Sequence, residues 1–166
     1  MTLRILIAAD GSPYTRHATR HVIDHLGWFA GTPEIHVVHV EPAMPYPRAR
    51  AVVGKATVLA YQREEAETAL AVAEAELDRA GVAYRTSWRV GDVVSELRVY
   101  INANRIDLLV IGSHGKGALA NLALGSVAQK CIASLDVPIL VIREPAQKPA
   151  AKSATSATRV PSKATP

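Results

Sequence analysis

The chain has 166 residues, the length of one ordinary domain and enough to bury a hydrophobic core. Four of its nineteen basic residues lie in segment 145–166 without any acid, which leaves fifteen basic and fifteen acidic side chains in residues 1–144, so no specific nucleic-acid partner is expected. With a single cysteine, Cys131, no leader pattern and no apolar run of the roughly 18 residues that span a bilayer, the expected protein is cytoplasmic and makes no membrane contact.

Aliphatic and amphipathic segments alternate along the chain and predict alternating strands and helices. The predicted strands cover residues 3–9, 35–40, 82–90, 106–111 and 137–142. The predicted helices start at Pro13, near residue 53, after an N-cap at Asp92, and at Ser126; a proline-containing loop, 41–52, precedes the second helix and Gly81 ends it. This order predicts a doubly wound, parallel, five-stranded α/β sheet.

The turn after the first predicted strand reads Asp10-Gly11-Ser12-Pro13. Ser12 suits the N-cap of the next helix and Pro13 suits its first position, so these two residues already form a complete helix start. The Asp10 carboxylate then has no local structural role, which favours a role in ligand binding. The alternative is that Asp10 is simply a helix cap.

The fourth predicted strand runs directly into Gly112-Ser113-His114-Gly115, and Gly125-Ser126 follows nine residues later. Glycines without a Cβ allow backbone N–H groups to converge into an anion-binding concavity. Ser126 and Gln129 have the spacing of a capping box, which predicts Ser126 as an N-cap at a helix start that also attracts anions. We interpret the two segments as a phosphate cradle; the alternative is that these are ordinary turn glycines.

Each of two polar side chains inside this loop has two possible roles. His114 could contact a phosphate or could only orient the turn. Lys116 could act as a point charge for phosphate or could face solvent.

Three patterns typical of other sites are incomplete. His17, His21 and His25 have metal-ligand spacing, but no matching Cys, Asp or Glu completes a set, so a solvated helix face is expected. The run 115–120 matches a dinucleotide fingerprint but follows the fourth strand instead of the first, which argues against NAD. The run 54–56 lacks the Ser or Thr of a Walker P-loop.

Residues 2–143 resemble the universal stress protein family in its ATP-binding branch. That branch carries the motif G-x-x-G-x(9)-G-[S/T] after the fourth strand, which here is Gly112, Gly115, Gly125 and Ser126. The opening segment 5–12, the pair His39-Val40 and the closing strand, from Val137 to Ile142, are also similar to the family.

The resemblance implies a flavodoxin-like sheet in the order 3-2-1-4-5 with ATP and Mg²⁺ across the carboxyl ends of strands one and four. By position, Asp10 would face the ribose and the phosphate-bound Mg²⁺, and the Val40 backbone would meet the adenine. The residues implied around the phosphates are Gly112, Ser113, His114, Gly115, Lys116, Gly117, Gly125, Ser126 and Val127. The resemblance also implies a homodimer through the last strand, from Val137 to Ile142.

The function expected from these features is an ATP-binding stress-response or signalling module in the cytoplasm that is not an enzyme. The sequence contains no Ser-His-Asp order, paired carboxylates or other arrangement that plainly activates a nucleophile. One alternative is a slow ATPase or adenylyl-transferring enzyme that uses the same pocket. Another is an interaction protein that binds no nucleotide.

Residues 145–166 form a predicted disordered tail that follows a nucleotide-binding domain of residues 1–144. The tail is rich in Ala, Pro, Ser, Thr and Lys and has too little apolar surface to offset the entropy cost of ordering. We expect its deletion to leave the melting temperature unchanged within error and to lower the isoelectric point. A loss of several degrees in a thermal melt would contradict this domain boundary.

Overall fold

The computed structural model describes residues 2–43, 54–117 and 124–143. Most of the predicted loop 41–52 and the whole predicted tail, 145–166, lie outside the described residues.

Five parallel strands form one sheet in the order β3-β2-β1-β4-β5, which confirms the predicted fold class. The strands are β1 (Arg4–Ala9), β2 (Glu34–Glu41), β3 (Tyr84–Val90), β4 (Leu108–Gly112) and β5 (Ile139–Ile142). The helices are α1 (Pro13–Asp24), α2 (Lys55–Ala80), α3 (Val93–Asn104) and α4 (Ser126–Ser134), with a short 3₁₀ turn at Leu26–Trp28.

Each face of the sheet is covered by a pair of helices because the central strands are apolar on both faces. On one face, Ile7 of β1 and Val37 of β2 pack with buried residues of α1 and α2. On the other face, Leu6 of β1 packs with buried residues of α3 and α4. The carboxyl ends of β1 and β4 lie next to each other, and the strand order reverses between them.

Two helix starts agree with the predictions from sequence. Ser12 is the N-cap of α1, where its hydroxyl accepts a hydrogen bond from the N–H of Thr15. Asp92 is the N-cap of α3, where its carboxylate accepts a hydrogen bond from the N–H of Ser95 at 3.0 Å. Both caps act over three residues, which is why the local sequence was sufficient to predict them.

Candidate functional site

A cavity of about 610 Å³ lies at the carboxyl ends of β1, β2 and β4, where the strand order reverses. Ligands of doubly wound sheets bind in such a crevice. The cavity is lined by every residue that the sequence and the resemblance assigned to the nucleotide site. Those residues are Asp10, Val40, Gly112, Ser113, His114, Gly115, Lys116, Gly117, Gly125, Ser126 and Val127.

The cavity has two chemically different walls. One wall is formed by the glycine-rich backbone after β4 and before α4. The other wall is aliphatic, and its side chains come from β2, α3, β4 and α4: Val38, Val40, Val93, Leu97, Ile111, Val127 and Ala128. Such a site suits a ligand with an anionic part and a flat apolar part. Most of the aliphatic wall was missed from sequence, because these residues look like ordinary core positions.

Asp10 has more local contacts than the sequence predicted. Its Oδ1 accepts hydrogen bonds from the N–H of Ser12 at 3.0 Å and from the hydroxyl of Thr15 at 2.8 Å. Its Oδ2 accepts a hydrogen bond from the N–H of Lys116 at 3.0 Å, a residue 106 positions away. The expectation that this carboxylate lacks a structural role is therefore wrong, because it joins the turn after β1 to the loop after β4.

The hydrogen bonds to Asp10 also determine its ionisation. Burial by itself raises the pKa of Asp10, but the hydrogen bonds from Ser12, Thr15 and the backbone of Lys116 outweigh burial, so the pKa is lowered. The carboxylate is therefore held in its charged form inside the cavity.

Position 115 requires glycine because the Asp10 carboxylate lies too close for a side chain, and not because of the backbone conformation. A Cβ on Gly115 would collide with Oδ2 of Asp10, whereas the φ angle of Gly115 lies outside the left-handed region. Gly112 is also confined, since a Cβ there would lie 2.6 Å from Cβ of Tyr14. These glycines are therefore not ordinary turn residues that any small side chain could replace.

The predicted capping box at Ser126 is wrong. Helix α4 begins at Ser126, its N-cap is Gly125, and no side chain caps it. The side chain of Gln129 instead donates a hydrogen bond to the carbonyl oxygen of Leu124 at 3.0 Å. The N–H of Gly125 donates to the carbonyl oxygen of Ser113 at 2.7 Å, and this contact places Gly125 one residue ahead of the helix. Ser126 therefore offers its backbone N–H within the first turn of α4.

His114 is oriented by its neighbours. Its Nδ1 lies 3.0 Å from the hydroxyl of Ser113, and its ring centroid lies 5.3 Å from that of Tyr14. The exposed side chain of Lys116 passes over the turn after β1, since its Cε would lie 3.4 Å from a Cβ on Gly11. Both residues line the cavity, which is where the sequence places them. Their contact with a phosphate stays a prediction.

Two ionisable residues of β2 in the cavity wall were not singled out from sequence as a pair. His39 and Glu41 alternate along the strand, and Nε2 of His39 lies 3.2 Å from Oε2 of Glu41. In the sequence His39 is notable only within the family-like pair His39-Val40, and Glu41 belongs to no recognisable motif. A carboxylate two residues after a histidine on a strand is the signal that could have suggested the pair, because such residues share one face.

His17 and His21 of α1 and His25, the C-cap of this helix, do not line the cavity. The rings of His21 and His25 lie 4.1 Å apart, and the ring of His25 lies 4.0 Å from that of Trp28. Within the described ranges, no group of three His, Cys, Asp or Glu side chains is arranged to hold a metal ion. No helix in the described part of the chain is long and apolar enough to span a bilayer.

Comparison with known proteins agrees with this fold. The chain is 28% identical over 142 residues to universal stress protein MJ0531 of Methanocaldococcus jannaschii. The aligned region covers 86% of this chain and 82% of that protein. Its fold is similar to the solved structure of hypothetical protein MJ0577, with a TM-score of 0.71, 25% identity and coverage of 87% of this chain and 97% of that one.

A universal stress protein family member from Arabidopsis thaliana, solved with AMP bound, has the same fold with a TM-score of 0.61. It is 17% identical, and the match covers 87% of this chain and 93% of that one. The sequence model of the universal stress protein family matches residues 1–143, which include all five strands and every described residue around the cavity. The chain therefore belongs to the universal stress protein family.

Proposed function

We propose that this protein is an ATP-binding module that acts in a stress response or in signalling. The observation that supports this proposal most strongly is the cavity itself, which joins a glycine-rich backbone wall to an aliphatic wall at the point where the strand order reverses. Its volume of about 610 Å³ is in the range of cofactor and small-molecule sites.

The triphosphate would lie against the backbone between Gly112 and Gly117 and at the start of α4. Backbone N–H groups near the helix N-terminus suit an anion because they are unpaired within the helix and lie at its positive end. Ser126 and Val127 are the first two residues of α4 and line the cavity, so their N–H groups are candidates for this contact.

The residues around Asp10 fit a magnesium ion that is bound mainly through the phosphates. Mg²⁺ commonly uses one or two carboxylates together with phosphate oxygens and water. Asp10 is held charged, and among the described residues its Oδ2 accepts one hydrogen bond, from the N–H of Lys116, so a lone pair on that oxygen would be available to a metal or to a ribose hydroxyl. The ion would neutralise part of the phosphate charge.

The base would lie against the aliphatic wall, next to the backbone of Val40. Adenine has a flat apolar ring, and side chains such as Val93, Leu97 and Val127 offer a matching surface. The Arabidopsis relative was solved with AMP, which makes adenine nucleotides the first class to test.

Calorimetric titration with ATP, ADP, AMP and NAD, each with and without Mg²⁺, tests the proposal. We expect ATP to bind at one site per chain and NAD to bind poorly. Chromatographic analysis of the nucleotide after incubation separates a binding module, which returns intact ATP, from a slow ATPase or adenylyl-transferring enzyme. The absence of binding by every nucleotide would favour an interaction protein that binds none.

We also propose a cytoplasmic homodimer in which β5 pairs with its copy in a second chain. β5 is at the edge of the sheet, so one side of its backbone can pair with another strand. Val141 is half-buried and packs against the core beneath α3 and α4, so a change there affects packing as well as association.

Val141→Lys is expected to shift the protein from dimer to monomer in sedimentation velocity, because a charge would be buried at the interface. Val141→Thr keeps the shape without a charge and serves as the matched control that should remain dimeric. A parent protein that sediments as a monomer at micromolar concentration would contradict the proposal, and a thermal melt of the lysine variant separates dissociation from unfolding.

A further inference from the structure

The hydroxyl of Thr15 contacts both the backbone and the side chain of Asp10. Thr15 lies in the first turn of α1, is 2% exposed and lines the cavity together with Asp10. Its Oγ1 lies 3.0 Å from the backbone nitrogen of Asp10 and 2.8 Å from Oδ1 of the Asp10 carboxylate. One hydroxyl therefore makes two hydrogen bonds to a single residue.

The direction of these two hydrogen bonds follows from the chemistry of the groups. The backbone N–H of Asp10 can only donate, so Oγ1 of Thr15 is the acceptor in that contact. A threonine hydroxyl has one proton, and a carboxylate oxygen can only accept. The proton of Thr15 therefore points at Oδ1 of Asp10.

This proton, together with a second donor, fixes the rotation of the Asp10 carboxylate. The terminal torsion of an aspartate is broad, so its rotamer does not decide where each oxygen points. Oδ1 accepts from the Thr15 hydroxyl and from the N–H of Ser12 at 3.0 Å, and both donors belong to the start of α1. Oδ2 is thereby directed to the loop after β4, where it accepts from the N–H of Lys116 at 3.0 Å.

A second threonine of α1 uses its hydroxyl differently. Thr19, one turn further along, is fully buried, and its hydroxyl donates to the carbonyl oxygen of Thr15 at 2.9 Å. A bond of this kind, to the carbonyl four residues earlier, satisfies a buried threonine within its own helix. Thr15 instead directs its proton onto a carboxylate that lines the cavity.

We propose that Thr15 is a positioning residue, which orients the Asp10 carboxylate so that Oδ2 faces the loop after β4 and the phosphate-bound magnesium ion. The proposal rests on the proposed nucleotide-binding function and adds a residue to it, because Thr15 would act on the nucleotide only through Asp10. Without the Thr15 hydroxyl, the N–H of Ser12 is the one donor that Oδ1 keeps among the described residues, and the carboxylate can turn away from Lys116. The part of ATP binding that depends on Mg²⁺ should therefore depend on a hydroxyl at position 15.

Thr15→Val tests the proposal, because valine has a shape similar to that of threonine but no hydroxyl. In calorimetric titrations with ATP and Mg²⁺, we expect its affinity to be roughly threefold to tenfold below that of the parent, with a smaller loss in EDTA. Thr15→Ser keeps the hydroxyl and should retain most of the affinity. Thr19→Val, which removes a buried hydroxyl that bonds within the helix, is the matched control and should change the melting temperature but not the affinity.

A double-mutant cycle with Asp10→Ala separates positioning of the carboxylate from a general effect on the turn. If Thr15 acts through the carboxylate, adding Thr15→Val to Asp10→Ala should change the affinity for ATP in Mg²⁺ by less than about twofold. A loss as large as in the parent background would overturn the proposal, because Thr15 would then act through the backbone of the turn. A Thr15→Val variant that binds ATP in Mg²⁺ as tightly as the parent would also overturn it.

Hydrogen exchange at the backbone amide of Lys116, measured by NMR without nucleotide, tests the orientation of Asp10 independently. This N–H donates to Oδ2, so its exchange should be faster in Thr15→Val and close to the parent rate in Thr15→Ser and Thr19→Val. Unchanged exchange in Thr15→Val would overturn the proposal even if nucleotide binding fell. If Thr15→Val does not fold in a thermal melt, Thr15→Ala replaces it with the same expectations.

The two measurements also distinguish failure of this proposal from failure of the proposed function. A parent protein that binds no nucleotide would refute the proposed function. The exchange rate at Lys116 would then decide by itself whether Thr15 orients Asp10.

Discussion

Gly115→Val is expected to abolish measurable ATP binding while the domain stays folded. Any Cβ at this position would collide with Oδ2 of Asp10, so the carboxylate must move away from the N–H of Lys116. The loop after β4 would then lose its contact with the turn after β1, and the branched side chain would also stand where the backbone must approach the phosphate, an obstruction that loss of the Asp10 side chain does not create. Several charge-assisted contacts between backbone N–H groups and phosphate would be lost together, and we expect affinity to fall by roughly a hundredfold or more.

The expected cost in stability is much smaller, about 1–2 kcal/mol, because the residue that must move is a side chain at the rim of the cavity. Calorimetric titration and a thermal melt of the same preparation measure the two effects separately. Gly27→Val is the matched control, since a Cβ there would meet nothing within 4 Å and the site is remote from the cavity. A folded Gly115→Val variant that binds ATP as the parent does would show that the phosphate cradle lies elsewhere.

Asp10→Ala is expected to weaken ATP binding mainly when Mg²⁺ is present. The proposed contact of this carboxylate with the nucleotide is through the metal and a ribose hydroxyl, and its loss should reduce affinity by about tenfold or more in Mg²⁺. Titration in EDTA should show a smaller loss, which reports the hydrogen bond from Asp10 to the N–H of Lys116. Equal losses of ATP affinity in Mg²⁺ and in EDTA would show that Asp10 acts only by holding the loop after β4 and makes no contact through the metal.

Asp10→Asn is the matched control for shape, because it keeps the size of the side chain without its charge. Its effect on stability should depend on pH. The pKa of Asp10 is lowered in the folded protein, so its charged form stabilises the fold fully above the usual pKa of an aspartate and less as the pH falls through the folded value. The difference in free energy of unfolding between parent and Asp10→Asn should therefore shrink in acid, as measured by urea denaturation across that range.

The sequence by itself determined the elements of this protein and the region of its cavity. The five aliphatic segments became five parallel strands in the order that the resemblance implied. Ser12 and Asp92 cap the helices that they were predicted to cap. Periodicity and capping act between residues three or four positions apart, so a local reading of the sequence contains the information they need.

Local reading failed where a local motif competed with a contact from another part of the chain. The capping box at Ser126 is plausible from its spacing alone, but Gly125 is the residue held against Ser113 after β4, and the helix begins one residue earlier than the box requires. The start of α4 is therefore set by the neighbouring loop and not by its own side chains.

Only the tertiary structure decided how the cavity is organised. Asp10 and Lys116 are separated by 106 positions and meet because the carboxyl ends of β1 and β4 are adjacent in the sheet. The same proximity of the two loops places Oδ2 of Asp10 where a Cβ of Gly115 would lie. Nδ1 of His39 lies 2.8 Å from the carbonyl oxygen of Ala9 because β2 is paired with β1, and this contact leaves Nε2 3.2 Å from Oε2 of Glu41. Each of these features depends on the pairing of strands that are distant in sequence, and no local periodicity carries that information.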